Sequence, residues 1–251
     1  MGNLFIAFPK KTEKERTRIA KNFYHNLIDS FIESIKLISI TDKEFNKRCT
    51  GNFDELNKLA ESGKTIQLHS GHQFNWEYIN RLYAAKLKIP FVLLYVRITN
   101  KILDTIFKKI RTKNGTVLIA ADKYRQQMLG MYKQQFAMGI VGDQRPPNAE
   151  TAWWLNFFSK PAPFLYTPEK NAQRGNRPVA FVSFKKNKRG YYTCDAKIIT
   201  LDASEFKKGE LTKMYRDFLE QQIREQPANY LWSHKRWKFD YKPEYAANWI
   251  G

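Results

Sequence analysis

Acidic residues are scarce in this 251-residue chain: 24 Asp and Glu stand against 43 Lys and Arg, a formal charge of +19. A balance so far from neutral biases its partners toward anions, whether nucleic acid, anionic membrane or an acidic protein. Cysteine is nearly absent too. Cys49 and Cys194 lie far apart with no metal or redox spacing, which excludes a disulfide framework and fits a reducing compartment. No stretch approaches the ~20 apolar residues of a membrane span, and residues 1–11 carry no cleavable signal pattern. Any attachment of this chain to a membrane is therefore peripheral. MGNLFI opens like a myristoylation site but has Ile6 where Ser or Thr is needed. HExxH, a cysteine pair and Gly-x-Ser-x-Gly are all missing, which argues against a zinc site and a Ser-His-Asp hydrolase. With no internal repeat, low-complexity tract or linker, residues 1–251 read as one domain.

What is present is aromatic, basic and periodic. Aromatic residues make up 15% of the chain, and Trp and Tyr beside Lys and Arg suit a lipid interface as well as stacked bases. Thr12 and Glu15 form a capping box, and Ile19, Phe23, Leu27, Phe31 and Ile35 recur behind it at helical spacing, an apolar stripe that reads as core-facing. Residues 65–69 are strand-like and residues 75–86 helical. Residues 91–96 form an apolar run expected of a strand buried on both faces. A helix through Ile102, Ile106 and Ile110, a strand at 117–120, a helix at 124–138 and a strand at 139–142 follow. This alternation predicts an α/β fold with a mostly parallel central sheet flanked by helices. Residues 179–185 and 191–198, joined by NKRG, predict a late antiparallel hairpin, and a helix is expected at 211–225.

In such sheets the ligand sits beyond the carboxyl ends of the strands, and the first strand ends at SGHQFNWE, residues 70–77. Inside one helix, His72 and Glu77 would be about 140° apart. They can meet only if His72 lies in the turn before the helix, with Glu77 holding one ring nitrogen and the other free to take a proton from a hydroxyl. Spacing alone is weak evidence for that chemistry, and the competing reading is a satisfied histidine in a strand-to-helix turn.

The segment SGHQFNWE resembles the signature of the bacterial lipid A biosynthesis acyltransferases, late acyltransferases that use acyl carrier protein and in which a His, four residues and an acidic residue form the catalytic pair. Further blocks follow in family order. NLFIAFP at 3–9, Glu15-Arg16 and residues 22–24 are similar to the lead into the first soluble helix. YVR at 95–97 with Asn100 is similar to a strand end bearing an arginine. GDQ at 142–144 resembles the Asp-Gln segment, Phe157-Phe158 with Pro161-Ala162 the apolar loop after it, and YLWSHKRWK at 230–238 the tryptophan-rich basic terminus. Two features depart: Phe74 stands where the family has glycine, and the chain opens at Met1 where the family's membrane-anchoring helix has already ended, so the sequence reads as the catalytic domain.

The resemblance implies a lysophospholipid/glycerol-3-phosphate acyltransferase-like fold. It also implies transfer of a fatty acyl chain from acyl carrier protein, or from coenzyme A, to a hydroxyl of a membrane glycolipid, with His72 as general base and Glu77 orienting it. Arg97, Asp143 and Gln144 are implied as substrate-binding residues; for Arg97 the alternative is a surface or helix-end arginine, and for Asp143 a turn residue before Pro146 and Pro147. No cofactor or metal is implied beyond the acyl donor as co-substrate. The implied partners are an anionic membrane surface, the carrier protein and the glycolipid, at the cytoplasmic face of the bacterial inner membrane. An acceptor such as an aminolipid would use the same chemistry. A nucleic-acid-binding role, the reading from a different class, finds no recognisable motif. Residues 232–238, with Trp and cations interleaved, suit lipid headgroups and an acidic carrier, or a solvated tail.

Overall fold

The computed structural model describes residues 2–251. A short helix α1 (Gly2–Ala7) precedes α2 (Glu13–Lys36), which starts on the expected capping box: the Thr12 backbone NH donates to Glu15 Oε2 at 2.7 Å, and Thr12 Oγ1 accepts from the Glu15 NH at 3.3 Å. After α3 (Asp42–Arg48), β1 (Cys49–Gly51) and α4 (Asp54–Ala60), the chain runs through β2 (Ile66–Ser70), α5 (Trp76–Lys86), β3 (Phe91–Tyr95), α6 (Lys101–Thr112), β4 (Val117–Ala120), α7 (Tyr124–Met131) and β5 (Ala137–Val141). Then come β6 (Ala152–Phe157), β7 (Lys160–Leu165), α8 (Thr167–Arg174), β8 (Val179–Lys188), β9 (Tyr191–Thr200) and α9 (Glu210–Glu225).

Seven strands form one sheet in the order β1-β9-β8-β2-β5-β3-β4. All neighbours are parallel except β8 and β9, the late hairpin, whose turn uses Gly190 at φ 75°. A mostly parallel sheet is covered by helices on both faces, so its central strands are buried. β2 meets that condition, since every one of its residues is buried. One apolar cluster gathers Phe74, Phe157, Phe164, Tyr215, Leu219 and Trp237; another gathers Ile66, Leu68, Tyr78, Leu82, Phe91 and Tyr192. The α/β class with its parallel sheet, flanking helices and late hairpin is the one expected.

Four local expectations are corrected. The strand expected at 91–96 ends at Tyr95 and is buried only at Phe91 and Val92; Leu94 is 46% and Val96 79% exposed, because the strand lies next to the edge of the sheet. The helix expected over 124–138 stops at Met131, and the strand starts at Ala137 rather than Gly139. Ala137 and Met138 are good helix formers, but both are buried in register with Ile66 and Gln67 of β2, so sheet pairing overrides propensity. The apolar loop after the Asp-Gln segment is a hairpin: β6 and β7 pair antiparallel as a separate two-stranded sheet. Pro161 and Pro163 disguise it, being tolerated because β7 has only one neighbour. The stripe on α2 is core for its first half alone. Ile19 and Phe23 are buried, whereas Phe31 and Ile35 face outward, and the polar residues Asp29, Ser30, Glu33 and Ser34 are buried instead.

Candidate active site

β2 and β5 lie side by side and parallel, with Ser70 paired to Val141. Two residues past each strand end come His72 and Asp143, so the register itself sets these side chains next to each other. Tyr215 on α9 ties the two ends together: its hydroxyl donates to the Ser70 carbonyl at 2.5 Å and accepts from the Gly142 NH at 3.1 Å. Between them Gly71 leaves no room for a side chain, since a Cβ there would lie 2.8 Å from Leu219 Cδ2. The chain beyond is clamped by residues 229–231. The Phe74 NH donates to the Asn229 carbonyl at 3.0 Å and the Leu231 NH to the His72 carbonyl at 3.1 Å.

His72 Nδ1 lies 2.6 Å from Asp143 Oδ1. Asp143 is only 1% exposed, and a carboxylate is an acceptor only, so Nδ1 carries the proton. Nε2 forms no hydrogen bond with any described residue and keeps its lone pair. Burial works against an imidazolium here, but the charge and hydrogen bond of Asp143 outweigh it, so the His72 pKa is raised above its usual 6.5. For Asp143 burial favours the neutral acid, and His72 reverses that, holding the carboxyl below its usual range. Both shifts describe one ion pair. The Trp76 ring packs edge-on to His72 at 5.9 Å, and Phe74 and Phe23 continue that aromatic row to α2.

Glu77 does not reach His72. Its carboxylate, 2% exposed, receives Arg111 of α6 in a fork, with Nη2 at 2.6 Å and Nε at 3.0 and 3.1 Å. The helix begins at Trp76, on an Asn75 cap whose side chain accepts from the Glu77 NH at 3.0 Å. From that first turn the carboxylate points toward α6. Asp143 therefore stands where Glu77 was expected, because strand register, a contact 71 residues apart in sequence, supplies the partner. Gln144 follows half-buried. Arg97 is not brought to the pair: it lies past β3, two strands from β2, 53% exposed and 3.5 Å from Asp122.

The basic terminus also differs from expectation. Trp232 and Trp237 are buried and Arg236 is 1% exposed, while Lys235 and Lys238 stay in solvent. Its Trp residues are core rather than lipid-facing. His234 Nε2 accepts from the Arg145 NH at 3.2 Å, which lays residues 234–236 against residues 143–145. Tyr215, His234 and Arg236 were not singled out from sequence. For His234 and Arg236 the only signal was the interleaving of Trp with cations at 232–238, which does not say which of them turn inward.

A buried carboxylate, an imidazole with one free nitrogen and an aromatic approach are the parts of a general base that serves a hydroxyl next to apolar groups. No curated protein sequence matches the chain. The family model of the bacterial lipid A biosynthesis acyltransferases, in contrast, matches residues 1–239 of the 251. Nearly the whole chain, including strand ends, the His72 turn and the clamp at 229–231, lies within that match, and the protein belongs to this family, whose members are acyltransferases acting on lipid A-type glycolipids.

Proposed function

We propose that His72 is the general base of an O-acyl transfer from acyl-acyl carrier protein, or from acyl-coenzyme A, to a hydroxyl of the glycolipid. Nε2 takes the hydroxyl proton as the oxygen attacks the thioester carbonyl. The tetrahedral intermediate collapses with loss of the thiolate, which recovers that proton from the imidazolium. Asp143 fixes the tautomer and stabilises the imidazolium, the role of the carboxylate in hydrolase triads. Glu77 holds α5 to α6, and Gln144 and Arg97 remain substrate-contact proposals, Arg97 as an exposed cation for a phosphate. The reaction as written uses no cofactor besides the acyl donor.

The single observation that carries this reading is the 2.6 Å His72–Asp143 pair with Nε2 unclaimed. His72→Ala should abolish acyl transfer in an assay with acyl-acyl carrier protein and a lipid A precursor, run well below a melting temperature that falls because Asp143 loses its buried partner. Near-normal turnover would remove His72 from the chemistry.

We also propose that an anionic bilayer is the surface on which the enzyme works, at the cytoplasmic face of the inner membrane. α2 is inverted in its second half. Tyr24, Ile28, Phe31, Ile32 and Ile35 are exposed, while Asp29 is buried against Lys186 and Arg189, and Glu33 accepts from the Tyr192 hydroxyl at 2.7 Å. An apolar face turned outward on a helix with a polar inner face suits a lipid interface. Lys21 and Lys36 are exposed on the same helix, which gives this face cations suited to anionic headgroups. Among the described residues no helix is long and apolar enough to cross a membrane. The net charge of +19 suits both that surface and an acidic carrier protein.

A further inference from the structure

Between the first half of α2, the end of β8 and residues 226–229 lies an open cleft of about 400 Å³. Arg18, Lys186 and Lys188 line it together with the side-chain amides of Asn22, Asn26 and Gln226, and no lining residue is a carboxylate. Three cations around one hollow repel one another, yet the fold holds them there. Gln226 grips the Lys186 backbone from both sides: its Oε1 accepts from the NH and its Nε2 donates to the carbonyl, each at 2.9 Å. Lys186 Nζ donates to Asn26 Oδ1 at 2.8 Å and to Asp29 Oδ2 at 3.1 Å, which leaves its third proton uncommitted. The buried Asp29 also holds Arg189, at 2.8 Å, so it does not neutralise the cleft. The Lys188 ammonium lies over the Tyr191 ring at 4.3 Å. Among the described residues, the exposed Arg18 and Lys188 have no acidic partner and the exposed Asn22 amide has no hydrogen-bond partner.

The cleft shares a sheet edge with His72. β8 runs parallel to β2, so Lys186 and Lys188 extend past the same end, and Asn229, on the cleft wall, accepts the Phe74 NH. On α2, Arg18 lies about 100° around the helix from Ile35 of the outward apolar face. With that face in lipid, the cleft is turned sideways at headgroup height rather than down among the tails.

We propose that this cleft is a binding site for the anionic phosphate of a membrane lipid headgroup, separate from the His72–Asp143 pair. A phosphate monoester carries about −1.5 to −2 charges at pH 7 and three strong acceptor oxygens, which matches three cations beside an unused amide. A hollow backed by amides fits one such group better than it fits the broad acidic surface of a protein. Ile19 and Pro227 add apolar wall, which a lipid's carbons can use and a bare phosphate ion cannot. The choice of a lipid as the source rests on the reading of α2 as the bilayer face.

The test follows the Asn22 side-chain amide by NMR in phosphate-free buffer, assigned by its loss in Asn22→Asp. The probes are dihexanoyl phosphatidic acid below its micelle concentration, dihexanoyl phosphatidylcholine and inorganic phosphate. Phosphatidic acid should move the amide saturably and bind about tenfold more tightly than the other two. Arg18→Gln with Lys188→Gln should weaken that binding about tenfold or more and leave melting unchanged, because both residues are exposed. Lys101→Gln with Lys109→Gln, which removes the same charge from exposed positions on α6, should not weaken it. An unmoved amide overturns the site, and inorganic phosphate binding as tightly overturns the lipid as its ligand. Equal weakening by the two double variants marks diffuse charge and overturns the proposal too, as does an amide that responds to an acidic carrier protein but not to phosphatidic acid. The readout needs neither turnover nor a bilayer, so failure of the base or bilayer reading in its own test would leave this binding measurable and unchanged.

Discussion

Glu77 and Arg111 meet in a forked pair between the first turn of α5 and the last turn of α6, leaving His72 to Asp143. This pair fixes the position of the helix that follows the catalytic turn. Breaking a buried ion pair costs about 3–5 kcal/mol, and the 21% exposure of Arg111 places this one at the lower end. Glu77→Gln is therefore expected to lower the melting temperature by about 10 °C and, well below that temperature, to retain most turnover. Unchanged melting with turnover cut a hundredfold would return Glu77 to the chemistry.

Asp143→Asn keeps the shape but removes the charge that orients and stabilises the imidazolium. By analogy with triads, kcat should fall about a hundredfold to ten-thousandfold. The active form of His72 is neutral, so kcat/KM rises with pH through its raised pKa. Without the anion that limb should shift to lower pH. An unmoved limb would detach Asp143 from the base.

Stability carries the same signature in a defined window. The depressed Asp143 carboxyl contributes stability above its usual 3.8, lost as pH falls through the lowered folded value. The raised His72 contributes below its usual 6.5, lost as pH rises through the raised folded value. The melting difference between wild type and Asp143→Asn should therefore be largest between those usual values and shrink on either side. A difference that is flat with pH would mean the two groups are not ionically linked in the native state.

The outward face of α2 predicts how the enzyme holds a bilayer. Phe31→Asp with Ile35→Asp should weaken sedimentation with anionic vesicles severalfold or more and leave the melting temperature unchanged, because both residues already face solvent. Added salt should weaken wild-type binding through the screened cations. If the double variant bound vesicles like wild type, the interface would lie elsewhere.

Much of the fold was legible because strands and helices alternate in sequence, as in the apolar run that became β3 and in the capping box at Thr12, although only Phe91 and Val92 of that run are buried. What was hidden is non-local. His72 and Asp143 could both be picked out, but pairing them needs the register Ser70–Val141, which no local pattern encodes. The β6–β7 hairpin was masked by prolines that only an unpartnered edge permits. The second half of α2 misled for a different reason: its periodicity is genuine, but the stripe faces outward because Asp29 pairs with Lys186 and Arg189 of the late hairpin and Glu33 accepts from Tyr192 and from the Asn75 cap of α5, while Ser34 bonds back to the Ser30 carbonyl. Arg236 was missed because burial of a cation is visible only once its aromatic neighbours surround it.

The Asn3 side-chain amide donates to the carbonyls of Trp232 and His234, at 2.9 and 2.6 Å. The opening helix thus latches the segment that clamps His72 and carries Arg236. During synthesis the βαβ units around β2 and β5 can form early, but the base stays unbraced until residues 229–237 have left the ribosome and met α1. A nascent chain or a fragment cut before that point holds both His72 and Asp143 yet lacks the brace, so transfer activity should switch on only with the last contact made.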